Sequence, residues 1–147
     1  MTLTKKQQLH YIKKAQEDRK KVSIDCMKIR RDIVMIRAKN KCEYFGCRNT
    51  DRLNDHHPKT KGACPHLKYD LDNSLVLCYN HHKGREGAHT DIHFKDKILG
   101  KYPGFKAIRT QQWLDLLDLK AQTKQRLDLN MEYLYLVEEL KKYESQK

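Results

Sequence analysis

Two short knuckles constrain this chain more than any other feature. Cys42-Glu-Tyr-Phe-Gly-Cys47 sets two thiols four residues apart, and about thirty residues later Cys78-Tyr-Asn-His81 sets a thiol and an imidazole two residues apart. Three thiolates and one imidazole make a closed tetrahedral set of the structural kind, for which Zn2+ is the fitting ion. Gly46 suits the tight turn beneath the first knuckle. The chain has five cysteines, and an odd number in a chain with no export signal argues against a disulfide framework. Cys26 and Cys64 are left over and read as free thiols. Seven of the eight histidines fall between positions 56 and 93, a clustering that metal binding explains best. The segment around them is poor in apolar residues, so a bound metal would supply part of its folding free energy.

The rest of the composition narrows the class of partner. The chain has 147 residues, enough for one domain with a real core, and carries 31 Lys+Arg against 19 Asp+Glu for a net charge of +12. That balance points to a polyanion, first of all nucleic acid. No apolar run approaches the roughly 20 residues of a membrane span, and the N-terminus has no apolar stretch of the secretory kind. No membrane association and a cytoplasmic, intracellular location are therefore expected.

Charge and glycine divide the chain into three. Residues 1–40 form a basic helical arm: positions 1–41 hold 13 basic and 4 acidic residues, and positions 4–39 contain neither Gly nor Pro. A break near Val22-Ser23 would make two helices of it. Ile29, Ile33 and Ile36 supply an apolar stripe, and the charge excess suits a helix lying along phosphates. Residues 41–104 hold every Gly and Pro and read as a loop-rich core with short extended pieces such as Leu75-Val76-Leu77. Residues 105–147 turn helical again and are expected to pack on the core. Thr110 is a candidate N-cap for a helix carrying Trp113, Leu114, Leu116 and Leu117. A last helix over about 124–144 aligns Leu129, Tyr133, Leu136, Leu140 and Tyr143 as an a/d seam. Two heptads are short for a coiled coil, so a monomer is preferred over a homodimer formed through that helix.

Between the knuckles lies Asn54-Asp55-His56-His57-Pro58-Lys59, followed by Asn73 sixteen residues after His57 and His82 nine residues after Asn73. The order Cys-Cys, His-His, Asn, Cys-x2-His-His resembles the zinc-stapled HNH nucleases. The stretch from Leu67 to Cys78 is similar to the segment before the second knuckle in phage-type HNH proteins, including those of recombination genes. The resemblance covers about residues 40–100 and neither flanking arm. It implies an α+β fold: a small zinc-stapled ββα-metal (HNH) core with flanking N- and C-terminal helices. It also implies cleavage that leaves 5′-phosphate and 3′-hydroxyl ends, with an encoding phage or mobile element.

The chemistry of the site can be set beside that resemblance. Phosphodiester hydrolysis needs a base to take a proton from water, a cation to stabilise charge at the phosphate and leaving oxygen, and something to orient the base. His57 is the expected base, because imidazole titrates near neutrality. His56 and His82 are the expected ligands of one divalent ion, Mg2+ or Mn2+, with Ni2+, Co2+ and Zn2+ also suited to imidazole. The family implies that Asn73 orients the base or its hairpin. Many members read Asp-His-x-x-Pro, so a second register is open here, with Asp55 as the ligand and His56 as the base. The compact spacings favour the first register. His89 and His93 could add a ligand, and His66 reads as an ordinary surface histidine.

The expected function is that of a metal-dependent DNA endonuclease. The alternative is a non-catalytic, zinc-stabilised nucleic-acid-binding module, which would need the knuckles and the basic helix but not His56, His57, Asn73 and His82. A protein-interaction module built on the C-terminal seam is a weaker third reading.

Overall fold

The structure is a computed structural model and describes residues 2–146. It begins with α1, Lys5–Arg37, which starts from a capping box: Thr4 Oγ1 accepts from the Gln7 amide, and the Gln7 side chain accepts from the Thr4 amide. Of the one or two helices that the sequence allows here the structure has one: no break occurs at Val22-Ser23, and the helix runs through as one element of 33 residues. No Gly or Pro interrupts it, and the Ser23 hydroxyl is hydrogen-bonded to the Tyr69 hydroxyl. The helix has two unlike halves. Every described residue up to Lys21 is exposed, whereas Cys26, Arg30, Ile33 and Val34 are buried along one face. Only the first half is thus an arm, and the second half belongs to the core.

The remaining order is β1 (Asn54–His56), a single 3-10 turn at Pro65–Leu67, β2 (Leu75–Leu77), α2 (Tyr79–His82), α3 (Phe94–Ile98), α4 (Gln111–Gln122) and α5 (Leu129–Glu144). The strands pair antiparallel, with Asn54 opposite Leu77, Asp55 opposite Val76 and His56 opposite Leu75. Among the described residues the molecule is therefore a small α+β fold with five α-helices and one two-stranded sheet. Thr110 caps α4 as expected, its hydroxyl accepting from the Trp113 amide at 3.1 Å. The final helix starts at Leu129, later than the sequence pattern suggested, because Asp128 caps it there.

The strand β2 joins two cores. Successive side chains of a strand point to opposite faces. Val76 faces a cluster with Cys26, Ile33, Val34, Tyr69, Leu71 and Leu136. Leu75 and Leu77 face a second cluster with Cys42, Tyr44, Cys78, Phe94 and Ile98. Four of the five seam residues of α5 pack inside the chain: Leu136 is fully buried, and Leu129, Leu140 and Tyr143 pack against the α1 cluster, whereas Tyr133 stays exposed, as do Met131 and Leu134. No helix among the described residues is long and apolar enough to cross a membrane.

Candidate metal centres

The first centre sits where the sequence pattern placed it. The donor atoms of Cys42, Cys47, Cys78 and His81 lie within 4.8 Å of one another. Cys42 precedes the turn in which the Cys47 amide donates to the Tyr44 carbonyl at 2.9 Å, and Gly46 allows that turn by taking a φ of +80°. Cys78 and His81 flank the first turn of α2, which Cys78 caps. His81 Nδ1 lies 3.6 Å from Cys42 Sγ and 3.2 Å from Cys78 Sγ. Bonds of about 2.3 Å to sulfur and about 2.0 Å to nitrogen, set tetrahedrally, require a sulfur-to-nitrogen edge of roughly 3.6 Å. The residues therefore fit a zinc ion. The outer shell fits as well: the other ring nitrogen of His81 faces Glu86 at 3.6 Å, and Tyr44 stacks on the ring at 3.9 Å between centroids. Burial pushes the Cys42 thiol up to about 12, so that sulfur holds its proton until a cation displaces it.

A second cluster lies one residue beyond the first on α2. His56 at the end of β1, His82 at the end of α2 and His89 in the following loop bring three ring nitrogens within 4.8 Å of one another. Their ring centroids are 4.8 to 5.2 Å apart. His82 Nε2 and His89 Nε2 are 3.1 Å apart, close to the ligand-to-ligand edge of about 3.0–3.3 Å that two imidazoles make on one transition ion. Burial, then the neighbouring His82 and His89 rings, lower the pKa of His56 to about 4. Burial, then His89, lowers that of His82 as well. Both rings are neutral at physiological pH, the form in which imidazole binds metal.

The other expected residues are placed as follows. Asp55 does not reach the histidine cluster; its carboxylate is ion-paired with Arg30, which is itself fully buried. His57 also stands apart. It lines a different pocket, with Lys28, Arg31, Lys61 and Lys68, and its Nε2 donates to the Lys68 carbonyl at 2.9 Å. Burial first, then the Arg30 charge, lowers its pKa to about 4. Asn73 is fully buried and clamps the intervening loop: its Oδ1 accepts from the Lys59 amide at 2.8 Å, and its Nδ2 donates to the carbonyls of Lys59 and Leu67 at 2.8 and 3.2 Å. His93 packs on Tyr102, and His66 Nε2 donates to the Lys120 carbonyl at 2.7 Å. Cys26 and Cys64 are buried and belong to neither centre. The sequence reading did not single out Arg30, whose partners lie 25 and more residues away.

No protein-family model, no curated protein and no solved structure matches this chain.

Proposed function

We propose that the protein is a metal-dependent endonuclease that hydrolyses phosphodiester bonds of DNA, with a ββα-metal core of the HNH kind. The observation that carries this reading is the three-histidine cluster, which draws His56 from β1, and His82 and His89 from α2 and the loop after it, next to the Cys3His knuckle. The order strand, strand, helix supports it, as does the excess of positive charge. In this reading His56, His82 and His89 hold one divalent ion, Mg2+ or Mn2+ or a transition ion better suited to imidazole. Such an ion supplies a stabilised phosphate charge and a more acidic bound water. Asn73 keeps the 57–68 loop rigid and so fixes His57. The structure holds His57 in a different pocket, so in this reading it serves as base only by leaving the Lys68 carbonyl and turning towards the ion.

That engagement of His57, together with the neutralised Asp55, favours a second reading: a zinc-stabilised module that binds nucleic acid without cutting it. Cleavage of supercoiled and linear DNA with Mg2+ or Mn2+ separates the two. The hydrolase reading expects metal-dependent cleavage that His82→Ala abolishes and that added Mn2+ partly restores in His56→Ala. It expects His57→Ala to keep metal and DNA binding but to lose a factor of about 10²–10⁴ in rate. Near-wild-type cleavage by His57→Ala removes His57 as base. Salt-dependent binding with no cleavage under any of these ions leaves the second reading standing.

A further inference from the structure

We propose that the cleft beside the three histidines seats one unpaired nucleobase, so that the substrate strand meets His56, His82 and His89 with a base out of its stack. This rests on the hydrolase reading above and names its substrate more closely. A cavity of about 300 Å³ opens along His56, walled by Leu75, Phe94, Ile98, Leu114 and Trp113. Its volume is that of a small-ligand site, and its walls are apolar where a phosphate would need donors. Two lysines and two carboxylates lie around it: Lys59, ion-paired with Asp118, the exposed Lys95, and Asp91, which is paired with Lys97. Ile92 also lines it and is 89 % exposed, an apolar side chain standing in water beside an apolar cavity.

Trp113 supplies an indole to the wall of the cleft. Its indole N–H donates to the Asp72 carbonyl at 2.8 Å, and the Arg109 guanidinium lies 5.7 Å from its ring centroid. The ring is held in place before any ligand arrives, so little is lost in ordering it. An apolar cleft flanked by lysines and adjoining a site read as phosphate-binding matches a nucleotide: sugar-phosphate at the histidines, base against the indole. A base inside a duplex already has both faces stacked, whereas an unpaired base has faces to spare.

Trp113 is the only tryptophan in the chain, so its emission reports on the cleft directly. The test titrates the zinc-loaded full-length protein, with no other divalent ion added, against three probes of equal length: a single-stranded oligothymidylate, the corresponding abasic strand and a fully paired duplex. The expected result is saturable quenching of Trp113 by the base-bearing strand alone. That strand should bind more tightly than the abasic one by roughly five- to a hundredfold, the range that stacking one base on an aromatic ring confers. Equal affinity for the two single strands, binding without a change in Trp113 emission, equal quenching by the duplex, or no binding of either single strand overturns the proposal. Cleavage measured in parallel with Mn2+ keeps the two readings distinct. Cleavage without base preference removes the seat alone, and base-dependent quenching without cleavage removes the hydrolase alone.

Discussion

A carboxylate carried into a protein interior needs a cation beside it, and Asp55 has one in Arg30. Both side chains are more than nine-tenths buried, Arg30 completely. Burial raises the pKa of Asp55 while Arg30 pulls it back, and burial lowers that of Arg30 while Asp55 pulls it back. Arg30 also donates to the backbone carbonyls of Asp70 and Asn73, so one guanidinium ties α1 to β1 and to the loop before β2. Arg30→Met is expected to destabilise the fold by about 3–5 kcal/mol, because it strands a buried carboxylate. Combining it with Asp55→Leu should recover much of that loss. Urea unfolding of the single and double variants measures both, and an additive double variant would mean that the pair is not coupled. The pair also explains why the two registers of the histidine motif look alike in sequence. Asp55, His56 and His57 are adjacent letters, but pleating and the partner on α1 assign Asp55 to the core. The order of the metal-binding residues was legible because each ligand type is chemically distinctive. The choice of His89 over His93 was not, because both sit in one loop and only its folded path separates them.

At the scale of elements, the knuckles hold together a region with little regular structure. Between Ala38 and Phe94 the strands have three residues each and α2 has four. Strands and a helix this short are not stable alone, so an ion held by the Cys3His cluster would add to what the Leu75, Leu77, Phe94 and Ile98 core supplies. Cys42→Ser or Cys78→Ser is expected to release the structural zinc and to cost several kcal/mol. Metal analysis of the purified protein, with circular dichroism before and after chelation, checks this; a protein with no tightly held zinc would refute the assignment. The pairing of α1 with α5 offers a separate pH test away from both centres. Burial first, and then Asp70, raise the pKa of Glu132 above its ordinary 4.5. A carboxyl with a raised folded pKa favours the fold while protonated, so its contribution is present below about pH 4.5 and is lost as pH rises through the folded value. Glu132→Gln should therefore raise the melting temperature at neutral pH, and the gap should narrow as pH falls towards 4.5. A gap that widens on acidification would reverse the sign. The Leu75-Val76-Leu77 strand and the Thr110 cap were readable because their signals are local. The continuity of α1 through Val22-Ser23 was not, since it depends on α5 and on Tyr69, which lies 46 residues from Ser23.

Across the whole molecule, charge and exposure coincide at one end. The exposed first half of α1 carries Lys5, Lys6, Lys13, Lys14, Arg19, Lys20 and Lys21 against only Glu17 and Asp18. At 1.5 Å per residue, the stretch from Lys5 to Lys21 is about 25 Å long. No apolar core forms along it: the packed face begins near Val22, where α5 joins it. A solvated helix of this length keeps its basic side chains free to meet phosphates, and neutralising phosphates releases counterions. If about five contacts form, log K for DNA should fall with log salt at a slope of about −4 to −5. Reversing charge at Lys13, Lys14, Lys20 and Lys21 should flatten that slope. It should leave the zinc content and melting temperature unchanged, since these residues touch neither core. Fluorescence anisotropy of a labelled duplex across a salt series measures the slope for the wild type and the variant. An unchanged slope would place the phosphate contacts on the histidine face instead. The arm would then be a solvated helix with no part in binding, and the net charge of +12 would have to act through the core itself.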